Sequence, residues 1–389
     1  VIREGAWGER KEVLWERLED LVRDEDLTDI EQSFALQASA TPDASSYPQP
    51  MPRSSTPSDE FQALRVLAVD RSQSLHVALS MLPDIEYLSE AISSLDLAKL
   101  PSDDVHSLLE NFPSDTEMSM VLSRDTPDTL WDAPERFVLA LAAISQCQDK
   151  LRAMDLRRSF GERVRHIEKG ATSLRVACQD IQGSESLRAL CSATLSVGNF
   201  LNCRTLTHQS RAFSLHVLPT LATTLDTQGR HSLLHHILSL CKAEAPHVFR
   251  LPLELSSLKD ALPFTFESLS SDLMALVNEV RDAAVLCTRR ESNLSSKVTR
   301  MLSLFVESCQ DRLDEAAAQL SAAQAGFEAL MLYIGSHEAE LTLQSSSSSC
   351  QRLIDSLNKV AIDIQTEIVT NFKPSNIPAT TAMRKMSIG

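Results

Sequence analysis

Apolar residues recur at alternating spacings of four and three along the C-terminal part of the chain, and residues 264–373 contain no proline. Such a 3.5-residue repeat places the apolar side chains on one side of an α-helix and lets two helices pack along a seam. The repeat comprises Leu269, Leu273, Leu276, Val280, Ala283 and Cys287, then Val306, Cys309, Leu313, Ala316, Leu320, Ala323, Phe327 and Leu330. Long helices packed as in a coiled coil are therefore predicted. A polar break at residues 344–349 is expected before a last helix, which carries Leu353, Leu357, Val360 and Ile364.

The remainder of the chain is also predicted to be helical. Only 10 of the 389 residues are glycine, which is few for the tight turns of a sheet protein. Between residues 61 and 202 the apolar patterns are interrupted at Pro83, Pro101, Pro113 and Pro134. Proline at or near a helix start is ordinary N-terminal chemistry. The sequence thus predicts an all-α fold.

Charge and cysteine content restrict the partners and the compartment. A formal net charge of −16 argues against nucleic-acid or anionic-membrane binding, which needs concentrated Lys and Arg. The 8 cysteines form no Cys-x-x-Cys pair, and no His lies at zinc-finger spacing. The longest apolar run, residues 137–144, is shorter than the ~20 residues of a membrane span. We expect a cytosolic protein with no cofactor and no metal.

The N-terminal region has a different composition. Residues 1–36 contain a short acidic amphipathic helix, and residues 37–60 are rich in Ser and Pro without periodicity, as in a flexible or extended linker. A short helix on a long tether cannot bury its apolar face alone. We therefore expect it to pack either on its own chain or on a partner, so exchange between two copies is one expected arrangement.

The most specific motif is residues 195–202, an apolar helix that ends in Gly-Asn-Phe-Leu-Asn. Phe-Ser-Leu at residues 213–215 and Ser-Leu-Leu-His at residues 232–235 follow it in order. In this register the three segments resemble formin homology 2 domains, which have Phe-Lys-Leu and Thr-Leu-Leu-His at the latter places. Upstream segments similar to successive family positions are residues 112–117, 134–137 and 151–160. The resemblance therefore covers nearly the whole chain.

The resemblance implies an elongated, multi-helix, all-α domain that forms a closed head-to-tail dimer. In the family a lasso segment, a linker, a knob, a coiled-coil region and a post follow one another, and each lasso encircles the post of the other subunit. By this resemblance residues 1–36 are the lasso, residues 37–60 the linker and residues 61–150 the knob. Residues 151–389 are then the coiled-coil and post region.

Two groups of residues are implied at the dimer contact. Trp15 resembles the second lasso tryptophan, an apolar anchor suited to a pocket on a partner, and Trp7 is assigned to the same segment although it lies closer to Trp15 than the family's first tryptophan would. The signature motif contributes Gly198, Asn199, Phe200, Leu201 and Asn202. Glycine lets another backbone approach closely, and asparagine can bond backbone groups left open at a helix end. The alternative is that the motif merely ends one helix in a core.

The knob position that contacts actin in the family falls on Val77, which takes the place of an Ile. Arg71 and Gln73 keep the family's residue types, whereas Asp70 replaces a basic residue and Ser74 replaces Asn. The resemblance thus assigns Arg71, Gln73, Ser74 and Val77 to the actin contact. For Val77 alone, the alternative is a buried helix residue.

A second actin-facing stretch follows Phe213. Positions that are basic in the family fall here on Ser214, Thr220 and Leu225. The loss of these cations is expected to weaken binding to acidic actin and to slow its electrostatically steered association. Thr220 and Leu225 are assigned to the actin-facing surface on this basis.

No catalytic motif was found: the sequence has no Gly-rich phosphate loop, no His-Glu-x-x-His and no Gly-x-Ser-x-Gly. The histidines at 231, 235 and 236 do not favour a metal site, because adjacent histidines on a helix point to different sides. A hydrolase or nucleotide-dependent enzyme has no residue support.

The function implied by the resemblance is a non-enzymatic, cytoplasmic regulator of the actin cytoskeleton. It would bind filament barbed ends and, as a homodimer, nucleate and processively elongate filaments with weakened actin contacts. Delivery of profilin-actin would depend on a proline-rich segment that this chain lacks. The alternative, motivated by the substituted lysines and the net charge, is a formin-derived dimeric helical scaffold that has largely lost actin activity.

Deletion of residues 1–36 should convert the dimer to monomers, because the tethered helix with Trp15 is expected to close the dimer. Light scattering of both chains at micromolar concentration measures this. A full-length chain that is already monomeric would contradict the lasso assignment.

Overall fold

The structure is a computed structural model. It describes residues 66–124, 131–202, 210–289, 294–335 and 343–372, with side chains from residue 348 onward in the last range. Within these ranges the regular elements are helices, and extended backbone pairs at an isolated antiparallel bridge between Leu225 and Ser232. The predicted all-α fold is confirmed. The predicted lasso and linker, with Trp7 and Trp15, lie outside the described residues.

The chain divides into two compact units. Of the described residues, unit 1 comprises those within 42–166 and 272–317, and unit 2 comprises those within 167–271 and 318–372. The short helices of unit 1 are α1 (Val69–Met81), α2 (Ile85–Ser94), α3 (Ser102–Glu110), α4 (Asp115–Leu122) and α5 (Ala133–Ala142). The helix boundaries predicted from the four prolines are confirmed, since each of the last four helices begins within two residues of one of them.

The remaining α-helices of the described residues range from 4 to 38 residues in length. They are α6 (Cys147–Gly183), α7 (Glu185–Asn202), α8 (Leu233–Glu244), α9 (Leu251–Glu254), α10 (Leu258–Ala261), α11 (Phe266–Thr288), α12 (Ser296–Tyr333) and α13 (Leu343–Thr370). Two 3₁₀ helices lie at Leu215–Ala222 and Pro246–Arg250. Of the helices described, none is both long enough and apolar enough to cross a membrane.

The predicted apolar seam is buried. From Val306 to Leu330 in α12, each seam residue is at most 6% exposed, and the four seam residues of α13 are buried as well. In α11 the pattern is less strict, because Leu273 and Cys287 are only half-buried and Leu286 is buried next to Cys287. The repeat therefore identified the core side of α12 and α13 correctly.

The polar break predicted at residues 344–349 is wrong, because α13 begins at Leu343 and contains this serine-rich run. Serine costs a helix less than about 0.7 kcal/mol per residue relative to alanine. Burial of the seam residues that follow can offset such a small penalty, so composition alone misplaced the helix start.

Gly170 of α6 allows close packing inside unit 2. A Cβ at this position would lie 2.7 Å from Phe264 Cδ1 and 2.8 Å from Leu269 Cδ2. Both distances are shorter than real Cβ contacts, so any larger residue would force these side chains to move. No role for this glycine was predicted from the sequence.

The described cysteines are free thiols, and all of them except half-buried Cys287 are buried. Burial raises the pKa of Cys147, Cys191 and Cys241 to about 12. Because the thiolate is the reactive form, these three thiols are chemically inert at neutral pH.

The first turn of α7 is held by Glu254 of α9. Its Oε2 accepts hydrogen bonds from Ser184 Oγ at 2.7 Å and from the Ser186 N–H at 3.2 Å, and its Oε1 accepts one from Ser186 Oγ at 2.7 Å. A carboxylate at a helix N-terminus satisfies unpaired donors and is favoured by the helix dipole. Burial raises the pKa of Glu254, but the hydrogen bonds from Ser184 and Ser186 and the charge of Arg250 outweigh it, so the pKa lies below its usual value.

Glu254→Gln should destabilise the fold by about 2 kcal/mol at pH 7, the scale of hydrogen bonds to a charged group. Since the folded-state pKa is depressed, the carboxylate's contribution is present above the unfolded pKa of about 4.3 and is lost as the pH falls through the folded pKa. The difference between the two proteins should therefore shrink below about pH 4.

Urea unfolding of the wild type and of Glu254→Gln, at pH 7 and below about pH 4, measures the difference in their free energies of unfolding. Glu185→Gln is the matched control, because Glu185 is an exposed carboxylate in the first turn of α7, the turn that Glu254 contacts. This substitution should lower the free energy of unfolding by less than about 1 kcal/mol. Equal losses for the two variants would show that the Glu254 hydrogen bonds are not important for stability.

Candidate protein-binding surfaces

Helix α1 buries one side and exposes an apolar side. Leu75 is fully buried, whereas Val69, Val77 and Met81 are 65%, 70% and 81% exposed. Spacings of eight and four residues place these three side chains on the same side of the helix. Gln73 is exposed between Val69 and Val77. The alternative in which Val77 is a buried helix residue is therefore wrong.

We call the exposed side formed by Val69, Gln73, Val77 and Met81 the α1 face. Ser74, another predicted actin contact, is exposed next to it, and its Oγ donates a hydrogen bond to the carbonyl of Asp70 at 2.9 Å. The structure therefore brings Gln73, Ser74 and Val77 to the exposed part of one helix.

Arg71, by contrast, is bonded within its own unit. Its Nε donates to Glu117 Oε1 at 3.0 Å, and its Nη2 donates to the carbonyls of Asn111 at 2.9 Å and Phe112 at 3.2 Å. Burial raises the pKa of Glu117, but hydrogen bonds from Ser114 and Arg71 and the charge of Arg71 outweigh it, so the pKa is lowered. The guanidinium thus joins α1 to the end of α3 and the start of α4 and fixes the orientation of the α1 face. Contact of Arg71 with actin stays a prediction.

Glu135 of α5 holds the backbone that leads into α1. This side chain is fully buried, and its Oε1 accepts the N–H groups of Val66 at 3.0 Å and Leu67 at 3.3 Å. A buried carboxylate is stable only with such partners. Sequence reasoning missed this role, although an acidic residue next to the apolar run at residues 137–144 was the available signal.

The signature motif lies at the end of α7. Gly198, Asn199, Phe200 and Leu201 are half-buried, and Asn202 is exposed. The Asn199 side chain forms a reciprocal pair with the backbone of Ser210: its Nδ2 donates to the carbonyl at 2.8 Å, and its Oδ1 accepts the N–H at 2.8 Å. Asn199 thus bonds backbone groups beyond the helix, as asparagine at a helix end commonly does.

Gly198 has no packing role within the described part of the chain. A Cβ there would meet no atom within 4 Å, in contrast to Gly170. Glycine inside a helix costs about 1 kcal/mol relative to alanine. Gly183 and Gly326 are open in the same way, so this space leaves room for another chain but does not single out Gly198. The dimer contact of residues 198–202 stays a prediction.

Thr220 lies on the 3₁₀ helix Leu215–Ala222 and Leu225 lies just beyond it. Both are exposed, Leu225 to 55%. This 3₁₀ helix packs on α13, where His216 Nδ1 lies 3.1 Å from Ser356 Oγ. The exposed surface therefore carries uncharged residues at the two positions that resemble the family's basic ones.

Three histidines and two carboxylates meet near the start of α8. The rings of His231 and His235 stack with centroids 4.3 Å apart, and His235 Nδ1 lies 3.0 Å from Glu367 Oε2. His236 Nε2 lies 3.7 Å from Asp226 Oδ2, and burial, with the charges of His235 and His231, lowers the pKa of His236 more than Asp226 raises it. Over the ranges that the structure describes, no group of three His, Cys, Asp or Glu side chains is arranged to hold a metal ion.

The fold and these surfaces define an all-helical domain whose exposed faces suit contacts with other proteins. Residues 6–358 match the family described as the Formin Homology 2 Domain. The chain therefore belongs to the formin homology 2 family, and the resemblance drawn from the signature motif is confirmed.

Three curated relatives show how much of a longer protein this chain covers. It is 23% identical to Formin-G of Dictyostelium discoideum over 351 residues, which are 90% of this chain and 32% of the relative. It is 26% identical to FH1/FH2 domain-containing protein 1 of Homo sapiens over 273 residues, 69% of this chain and 23% of that protein. It is 27% identical to Formin-like protein of Drosophila melanogaster over 282 residues, 71% of this chain and 23% of that protein. The matches thus span between 23% and 32% of these relatives.

The two glycines should respond differently to alanine. Gly170→Ala should destabilise the fold by about 1–3 kcal/mol, because the new Cβ overpacks against Phe264 and Leu269. Gly198→Ala should leave stability unchanged or raise it by up to about 1 kcal/mol, while weakening the dimer.

Thermal melts and sedimentation equilibrium measure the two effects separately. A Gly198→Ala chain with an unchanged dimer dissociation constant would contradict the contact role of the signature motif.

Proposed function

We propose that this chain is an actin-binding formin homology 2 domain that acts as a dimer at filament barbed ends, where it nucleates and processively elongates filaments. The α1 face carries this proposal. Its Val77 stands where the family has an apolar actin contact and is 70% exposed. The apolar face is thus available to a partner.

The energetics of the α1 face favour a partner with an apolar surface of its own. Burying one exposed valine or methionine side chain completely is worth about 1.5–3 kcal/mol. Three such side chains lie together on α1, at positions 69, 77 and 81. Arg71 and Glu117 fix this helix to its neighbours, so little further ordering is needed on binding.

The proposed dimer is closed by residues 1–36, with Trp15 as the apolar anchor and the end of α7 as part of the receiving surface. The open space at Gly198, within the family's signature motif, leaves room for the lasso of another chain. Filament growth itself would supply the free energy, so the proposed activity needs no hydrolytic site. Its place of action is the cytoplasmic actin cytoskeleton.

The second candidate function is a dimeric helical scaffold derived from formins that has largely lost actin activity. The observation that favours it is the absence of a positive charge at Thr220 and Leu225, which are both exposed. The net charge of −16 would also repel acidic actin. Sedimentation of the chain with filamentous actin separates the two candidates.

Val77→Asp should abolish actin binding, because it places an unpaired charge in an apolar contact. We expect the binding free energy for actin to weaken by about 2 kcal/mol or more, which corresponds to a more than tenfold loss of affinity. Cosedimentation with filamentous actin and pyrene-actin assembly measure the loss. Stability should hardly change, since Val77 is exposed.

Met274→Asp is the matched control. Met274 is 61% exposed on α11, so this variant adds the same charge to unit 1 outside the α1 face. It should retain binding and assembly activity. A folded Val77→Asp chain with unchanged assembly curves would contradict the use of the α1 face. A dimeric wild-type chain that never sediments with actin would favour the scaffold.

A further inference from the structure

The loop between the 3₁₀ helix and α8 is a short hairpin. The Leu233 N–H donates to the Thr224 carbonyl at 2.7 Å, and the Asp226 N–H donates to the His231 carbonyl at 2.9 Å. These bonds pair the two sides of the loop and leave residues 227–230 as its turn.

The Asp226 side chain fixes this turn from inside. Its Oδ1 accepts the N–H groups of Arg230 at 2.9 Å and Gln228 at 3.1 Å, and its Oδ2 accepts the N–H of His231 at 3.3 Å. The hydrogen bond from the Arg230 N–H, with those from His231 and Gln228, holds the pKa of Asp226 below its usual value against the effect of burial. Gly229 supplies the left-handed residue of the turn, with φ of 65°. The Asp226 side chain is only 7% exposed, so its charge faces the backbone of the turn.

The backbone of Arg230 is therefore held in the same hairpin as Leu225. Arg230 is exposed, and its backbone N–H donates a hydrogen bond to Asp226 Oδ1. In the residues that precede the turn, Leu225 and Thr220 are exposed and uncharged. The hairpin thus combines an exposed arginine on a fixed backbone with an exposed apolar side chain.

We propose that Arg230 supplies the positive charge with which this surface meets acidic actin, in place of the basic residues missing at Thr220 and Leu225. The inference rests on the proposed actin-binding function. A guanidinium can bind a carboxylate through two parallel hydrogen bonds. Because the turn is already ordered, binding requires ordering of the side chain alone. The hairpin therefore fits a partner surface that pairs carboxylates with an apolar patch.

Arg230→Gln should weaken binding of the full chain to filamentous actin several-fold at low ionic strength, and less at physiological ionic strength, because salt screens exposed charges. Arg230→Lys should retain most of the affinity. Leu225→Lys should restore binding in the Arg230→Gln chain, since it returns a cation to the same surface. Cosedimentation at the two ionic strengths measures all four proteins.

Lys259→Gln is the matched control, because Lys259 is an exposed cation on α10 of the same unit and its loss changes the net charge equally. If Arg230→Gln weakens binding no more than Lys259→Gln does, the role of Arg230 is overturned. The proposed function then still stands on the difference between wild type and Val77→Asp. If the wild-type chain does not bind actin at low ionic strength, the proposed function and this inference both fail.

Discussion

Burial of the 3.5-residue apolar repeat is the constraint on which the long helices depend. The seam residues of α12 are at most 6% exposed over seven helical turns, a stretch in which a single proline or an unpaired charge would remove more free energy than local propensity supplies. Phe327 on this seam lies 5.9 Å from the ring of Phe266, centroid to centroid. Helix α13 begins in a serine-rich run and then buries an apolar repeat of the same kind. Tertiary burial, not intrinsic helicity, thus decides where these helices begin and end.

Much of the fold follows from local rules that the sequence displays directly. The prolines mark the starts of α2 to α5, lying just before the first three of these helices and in the first turn of α5, because proline is excluded from a helix interior. The buried side of α12 follows from spacing alone. The start of α13 does not, because the preference of a serine-rich run for or against helix is too small to set a helix end. Gly170 is a similar case: nothing in the local sequence shows that Phe264, 94 positions away, will lie against its Cα.

The candidate surfaces were only partly predictable, for a related reason. Family resemblance identified α1, and the structure exposes its Val77, but resemblance could not show that Arg71 turns inward to partners 40 and 46 positions away. Arg230 was not predicted, because comparison with the family's basic positions considers only the aligned residues, among them Thr220 and Leu225. Its signal, an Asp followed by Gly three residues later and Arg next to it, becomes meaningful only once the carboxylate is seen to accept backbone N–H groups.

Glu135 has a mechanical consequence. A pull on the chain before residue 66 reaches the hydrogen bonds of Val66 and Leu67 before it reaches α1. These bonds join the backbone to a fully buried carboxylate in the first turn of α5, a helix whose Phe137, Val138 and Leu141 belong to the core of unit 1. Tension along the segment before residue 66 is therefore transmitted to that core, and the orientation of the α1 face is insulated from it.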